Sequence, residues 1–333
     1  MPPIVNLPHH HTHALQAFLQ SPFEEATVLT VDGSGDQHCT VVWEGRAGEL
    51  EPIREITMPH SLGWFYAALT EYLGFRVYDG EYKVMGLAAY GRPNDELLEK
   101  VGRVVLAIEH GGYRLDPSYI HYGPHNYSDR YTDKLVDLLG RPPRRPDDET
   151  SEWHEDLAFA VQQTLEDAVE RLAIWAVEKT GLPKLCVGGG VGLNIKMNSR
   201  LFKHPKIASV FVHPLCGDAA AAAGAALALC QRETGAQVEK LDTLALGNEE
   251  SEEEIEKTLK LALLDYERPE DLCGVIATEL DKGRIVGWFQ GRMEAGPRSL
   301  GQRSILADPR RMENRDKVNA IIKFREYWRP FCP

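Results

Sequence analysis

An apolar run that ends in a cluster of glycines constrains this chain more than any other feature. KLCVGGGVGLN, Lys184 to Asn194, reads as a buried strand that breaks into a turn at Gly188. Ahead of it, Val161, Leu165, Val169, Leu172 and Ala176 recur at helical spacing, the pattern of a long amphipathic helix over Leu157 to Ala176. Behind it, SVFV (Ser209 to Val212) predicts a strand, and GDAAAAAGAALAL predicts a helix that opens directly from a loop. This alternation predicts an α/β unit. The front of the chain adds TVLTVD (Thr27 to Asp32), a β-branched strand that stops at the turn DGSGD. TVVW (Thr40 to Trp43) follows at hairpin distance.

Two stretches break the pattern. Tyr113 to Asp156 is rich in Tyr, His, Pro and Asp and predicts irregular excursions or an insertion. Glu233 to Lys257 contains NEESEEEIEK and predicts an acidic linker leading into a surface helix. The 333 residues suffice for two domains, each with its own core. The expected division is 1–241 and 242–333. RIVGWF (Arg284 to Phe289) is the first strong strand of the second part, and QGRMEAGPRSLGQRS is its loop.

Charge and cysteine usage exclude some functions. A formal net charge of −13 repels a polyphosphate backbone, which disfavours broad nucleic-acid binding. Six scattered cysteines without a CxxC pair suit free thiols in a reducing cytoplasm and argue against a thiolate zinc site. The start, MPPIVNLPHHHTHA, lacks the basic and apolar regions of a signal peptide, and no apolar run reaches the roughly 18 residues of a membrane helix. These features predict a cytoplasmic enzyme or binding protein for small molecules.

Several residue groups have the chemistry of a site. In HHHTHA, His9 and His13 lie four apart and share one face of a helix, where they can bind one metal together. Ala14 to Leu19 continues at helical spacing, which places the histidines at a helix start. Mixed imidazole and carboxylate ligands suit Fe(II), Mn(II) or Zn(II). Asp32 in DGSGD is, taken alone, an ordinary turn residue. Asp218 opens the alanine-rich helix, where it is either an N-cap or a carboxylate that binds metal beside a phosphate held by the helix dipole. The glycines of GGGVGLN let a ligand approach the backbone closely. Lys83 in EYKVMGLAAYG meets an anionic ligand oxygen such as that of a phosphate, or is a surface lysine. Arg292, Arg298 and Arg303 lie in one Gly/Pro-punctuated loop, an arrangement that favours an anion site.

Together these segments resemble a known family, the nodulation-type and antibiotic-tailoring O-carbamoyltransferases. The ordered set is HHxxHA (His9, His10, His13, Ala14), VDGSGD (Val31 to Asp36), HSLGWFY (His60 to Tyr66), EYKVMGLAAYG, GGGVGLNIKMN (Gly188 to Asn198), GD…GAA (Gly217 to Ala226) and GRMEAGPRSLGQRS. It spans nearly the whole chain in the family's order. The resemblance implies an actin-like ATPase-fold (Kae-like) domain followed by a carbamoyl-adenylate-forming (YrdC-like) domain. It implies that carbamoyl phosphate and ATP give carbamoyl adenylate, whose carbamoyl group then passes to a hydroxyl of a small metabolite in biosynthesis. The implied metal ligands are His9, His13, Asp32 and Asp218, around an iron ion, Fe(II). His10 is the implied general base or orienter of the acceptor hydroxyl. Gly188, Gly189, Gly190 and Asn194 would hold the adenylate, and Arg298 and Arg303, with Arg292 beside them, would bind phosphates of carbamoyl phosphate or ATP.

The chain departs from the family's pattern in places. Ser299 stands where alanine is usual, and Ala220 where glycine is common. Family members begin upstream of this Met1 and continue past WRPFCP. The resemblance therefore predicts truncation at both ends, with an incomplete first lobe and a second domain that is only begun, apolar surface exposed near its end. Such a chain alone is expected to fail at adenylate formation. Two other readings share these residues. One is threonylcarbamoyl transfer to tRNA, which would want a basic surface. The other is a non-catalytic fragment or subunit whose missing segments come from a partner chain.

Overall fold

The computed structural model describes residues 4–122 and 129–331, and forms two compact units, Met1–Leu241 and Asp242–Pro333. Cys332 and part of the Tyr113 to Asp156 stretch lie outside the described residues. Within that stretch the described residues include a short helix as well as irregular segments.

The first unit begins with α1 (His9–Leu19), followed by three strands, β1 (Glu25–Gly35), β2 (His38–Arg46) and β3 (Glu49–Thr57). Helices α2 (Leu62–Tyr72), α3 (Glu81–Leu87) and α4 (Asp95–Gly102) come next. A small hairpin, β4 (Val105–Ala107) with β5 (Tyr113–Leu115), leads to α5 (Asp133–Leu139) and the long α6 (Glu152–Thr180). The unit closes with β6 (Lys184–Gly188), α7 (Ile195–Lys203), β7 (Ser209–Val212) and α8 (Ala221–Thr234). Its main sheet has the order β3-β2-β1-β6-β7. β1, β2 and β3 pair antiparallel, whereas β1, β6 and β7 run parallel. The fold is a mixed α/β fold.

Helices cover both faces of β1, so seven consecutive residues, Ala26 to Asp32, are buried. Period two sends Ala26, Val28 and Thr30 toward α1, and Asp32 follows in the same phase. Leu15, Phe18 and Leu19 of α1 pack there with Val28, Val41 and Trp43. On the opposite face Thr27 Oγ1 meets Thr180 Oγ1 of α6 at 2.6 Å, and α2 also packs against β1. The long α6 starts at a capping box, Ser151 with His154, and stops at Gly181, whose φ of +70° is left-handed.

Sequence reading missed β3. ELEPIREIT lacks an alternating apolar pattern because it is an edge strand, mostly exposed and carrying Pro52 and several charges.

The second unit comprises α9 (Glu252–Leu261), α10 (Leu272–Asp281), the hairpin β8 (Val286–Phe289) with β9 (Arg303–Leu306), and α11 (Met312–Lys317), which runs into a π-helical turn, Val318–Lys323. The acidic stretch ends in α9, whose N-cap Ser251 and Glu254 form a capping box. Neither α9 nor α10 has a buried residue, and Leu261, Leu263 and Phe324 are largely exposed.

His213, just past β7, supplies a pH prediction. Its Nε2 faces Gln20 Oε1 at 2.9 Å, and its Nδ1 accepts from Leu215 N–H at 3.0 Å, so a second proton would meet a donor. Burial pushes this imidazole down to about 4. A lowered folded value means that the contribution to stability is fully present above the unfolded value of 6.5 and is lost as pH falls toward 4. The melting temperature should therefore drop across that window, by the equivalent of about 1–2 kcal/mol after solvent screening. His213→Gln should flatten this part of the pH–stability profile. An unchanged slope would show that His213 does not carry it.

Candidate metal centre and glycine loop

The site starts from α1. His9 and His13, one turn apart, turn the same edge toward the end of β1, with Nε2 atoms 3.0 Å apart. Asp32 Oδ2 lies 3.3 Å from His9 Nε2 and 3.1 Å from His13 Nε2. Asp218 Oδ1 lies 3.5 Å and 3.4 Å from the same two atoms. All four donor atoms fall within 4.8 Å of one another. Adjacent ligands of an ion with bonds of about 2.0–2.2 Å stand roughly 3.0–3.5 Å apart in tetrahedral or octahedral sets, by simple geometry. The residues present thus fit a divalent cation in both donor type and spacing.

Local structure explains how each ligand is held. Asp32 is buried and its Oδ1 accepts from Gly33 N–H at 2.6 Å. Burial alone would raise its carboxyl, but hydrogen bonds from His13 and His9 outweigh this and hold it well below the usual carboxylate range. The His9 imidazole is raised, chiefly by its hydrogen bond to Asp32. Asp218 is mostly exposed. It is not the N-cap: Gly217 has that position, and Asp218 begins a 3₁₀ turn, Asp218–Ala220, that runs into α8. α8 reaches α1 because Gly224 packs directly on it, where an added Cβ would lie 2.0 Å from Thr12 O.

Asp36, the second acid of DGSGD, has a different role. Its Oδ2 accepts from the His9 backbone N–H at 3.0 Å, supplying the cap that Pro8 cannot. Sequence reasoning missed it because a cap from 27 residues away has no local pattern.

His10 does not turn into this cluster. Its Nδ1 lies 2.9 Å from Thr30 Oγ1, and that hydroxyl donates to Val41 O, so Nδ1 carries the proton. Burial lowers the imidazole to about 4, and its Nε2 is enclosed without a partner. This nitrogen is not one of the four clustered donor atoms, and the bond to Thr30 ties α1 to β1. Lys83 sits half-buried on α3, its ammonium 5.9 Å from the Phe75 ring centre.

The glycine loop lies against the four-donor cluster. An added Cβ at Gly190 would stand 3.1 Å from Asp32 Oδ1. Gly189 has φ +87°, a left-handed conformation that favours glycine, and a Cβ there would strike Val31 O. Asn194 caps α7 through Met197 N–H at 3.0 Å, and its amide also pairs with Gln162.

The second unit separates the three arginines. Arg303 donates to Gln290 O, Gly291 O and Gln302 O and stacks 3.5 Å over the Phe289 ring. This arginine closes the hairpin. Arg292 lies 3.8 Å from Glu249. Arg298 is exposed and has no partner among the described residues. Glu294 shapes the loop, its Oε1 accepting from the N–H groups of Leu300, Gln302 and Arg303 at 2.8, 2.7 and 3.2 Å.

No helix among the described residues is long and apolar enough to cross a membrane. Among the described residues no disulfide joins Cys39, Cys186, Cys216, Cys230 or Cys273.

Comparison with known proteins adds to this geometry. The family model for the carbamoyltransferase N-terminus matches residues 1–227, and that for the carbamoyltransferase C-terminus matches residues 277–333. An uncharacterized protein of Synechocystis is 42% identical, over 100% of this chain and 55% of its own length. The nodulation protein NolO of Bradyrhizobium diazoefficiens is 37% identical, over 98% of this chain and 57% of its own. The 3'-hydroxymethylcephem-O-carbamoyltransferase of Streptomyces clavuligerus is 34% identical over 45% of this chain and 27% of its own. The chain thus spans about half the length of the first two of these relatives. The first match includes His9, His13, Asp32, the glycine loop and Asp218, and the second includes all three arginines of the charged loop: the chain belongs to the carbamoyltransferase family, with relatives of the nodulation type.

Proposed function

We propose that the protein is an O-carbamoyltransferase in which carbamoyl phosphate and ATP give carbamoyl adenylate, and the carbamoyl group passes to a hydroxyl of a small metabolite. One observation carries this reading: Gly190 lies against Asp32, so the glycine loop and the four-donor cluster border one space. An adenylate held along the loop would present its phosphate and carbamoyl oxygens at the cluster. The strand order β3-β2-β1-β6-β7, antiparallel on one side of β1 and parallel on the other, supports an actin-like lobe for the first unit. The family match of residues 277–333 supports a role for the second unit in adenylate formation, as in a YrdC-like domain.

His9, His13, Asp32 and Asp218 would hold a divalent ion, with Fe(II) proposed because imidazole and carboxylate together accommodate it. Such an ion, when bound, supplies Lewis-acid polarisation of a carbamoyl or phosphate oxygen. The chain's own groups do the rest. Gly188, Gly189 and Gly190 let the nucleotide approach the backbone, and Asn194 orders the turn that follows. Arg298 is the guanidinium available to a phosphate. Lys83 would meet a phosphate or carbamoyl oxygen if the substrate reaches α3. The free thiols agree with a cytoplasmic setting.

The test combines metal analysis with ATP–pyrophosphate exchange. The purified chain is expected to hold about one ion. A protein of the relatives' length carrying this sequence is expected to exchange pyrophosphate into ATP only with carbamoyl phosphate present. Arg298→Ala should lower that exchange by about 10- to 100-fold, the scale of a lost charge-assisted hydrogen bond. Exchange that ignores carbamoyl phosphate would sink the reading.

A further inference from the structure

Gln162, on α6, is 3% exposed and uses its whole hydrogen-bonding capacity. Its Oε1 accepts from Tyr66 O–H at 2.8 Å and from Asn194 Nδ2 at 2.9 Å. Its Nε2 donates to Glu166 Oε1 at 2.7 Å and to Asn194 Oδ1 at 2.9 Å. Because Glu166 as a carboxylate only accepts, Nε2 must face it, and this sets which way the Gln162 amide points. The orientation of the Asn194 amide follows. The two amides form a closed pair of reciprocal bonds, joining residues 32 apart in sequence.

The pair sits where the glycine loop ends. Asn194 Oδ1 also accepts from Met197 N–H at 3.0 Å, so the same oxygen that Gln162 holds caps α7. Asn198 Nδ2 binds Gly192 O at 2.7 Å, and Gly192 N–H binds Gly189 O at 2.9 Å. Gln162 is therefore the side chain outside the loop segment that sets the loop's position relative to α6. An apolar residue here would leave the Tyr66 hydroxyl and the Asn194 amide without these bonds, which costs more than the bonds themselves contribute. A fully satisfied polar network holds one arrangement, which apolar packing does not specify as well.

We propose that Gln162 is the positioning residue of the glycine loop, acting through Asn194 to hold the backbone from Gly188 to Asn194 in the shape that receives an adenylate phosphate. This rests on the reading of that loop as the nucleotide cradle. Gln162 touches no substrate in this arrangement. Its effect is on binding geometry, and Tyr66 and Glu166 set its rotamer.

The test measures AMP binding by titration calorimetry, metal content and melting temperature on the whole chain. Gln162→Met keeps the length of the side chain and removes all four bonds. It should weaken AMP binding by about tenfold or more, the scale of one or two net hydrogen bonds. Metal content should stay at the parent level, since the four donors stand on other elements. Thr180→Val removes the bond from Thr180 to Thr27 at the far end of α6 and leaves the amide pair and its partners untouched, so it should lower the melting temperature while AMP affinity stays within about twofold. Should Gln162→Met not fold, Gln162→Leu removes the same four bonds with a smaller side chain and should show the same selective loss. Parent-level AMP affinity in a folded Gln162 variant would overturn the proposal. So would an equal loss in Thr180→Val, which would mean that stability alone is being read. Failure of the unmodified chain to bind AMP would instead refute the nucleotide reading of the loop, and the positioning role with it.

Discussion

His13→Ala is expected to take the metal content of the purified chain from about one ion toward zero. The His13 side chain is fully buried, and its Nε2 lies 3.1 Å from Asp32 and 3.4 Å from Asp218, so it is central to the donor set. Loss of groups that merely orient a ligand costs about 10- to 100-fold in metal affinity, and loss of a ligand should cost more. The helix should survive, because alanine is the best helix former and α1 keeps the apolar contacts of Leu15, Phe18 and Leu19. The stability cost should be about 1–3 kcal/mol, from a buried Asp32 that has lost one of its two imidazole partners. Elemental analysis reads the metal, and far-UV circular dichroism reads the fold. A folded His13→Ala protein that still holds one ion would remove the cluster from consideration as the metal centre.

Gly224→Ala is expected to cost both stability and metal affinity through one methyl group. The new Cβ would stand 2.0 Å from the Thr12 carbonyl oxygen, a backbone atom that cannot rotate away. α8 would have to lift from α1, carrying Asp218 away from His9 and His13. Overpacking of this kind costs about 1–3 kcal/mol. Losing one carboxylate from the set should also weaken metal binding by at least about tenfold. Gly102→Ala is the control, because nothing lies within 4 Å of its added Cβ. It should be neutral or stabilise by up to about 1 kcal/mol. Unchanged melting temperature and metal affinity in Gly224→Ala would show that α8 does not depend on this close approach.

The residue-level reading succeeded where one element carries the whole signal. The i, i+4 spacing puts His9 and His13 on one face of α1 whatever surrounds it, and the apolar period of Leu157 to Ala176 lies within α6. The β-branched run before DGSGD forms the body of β1, although the strand does not stop there and continues to Gly35, and the apolar run before the glycines is β6. These patterns are local, because helix and strand periods are set by backbone geometry over a few residues.

What the sequence by itself determined, then, is the family, the principal helices and strands, and the pairing of two histidines on one helical face. The family resemblance named Asp32, but no local pattern distinguishes it from Asp36, and only tertiary structure shows their separate places. Asp32 lies beside both imidazoles, whereas Asp36, four residues later and past a register shift in β1, caps the helix. It also separated three arginines that look alike in one loop, committing Arg303 to backbone carbonyls and leaving Arg298 exposed. The amide pair of Gln162 and Asn194 likewise exists only once α6 and the glycine loop are packed together. The physical reason is common to all three: a side chain's partner depends on sheet register and helix packing, which bring together residues far apart in sequence, and no local period records that.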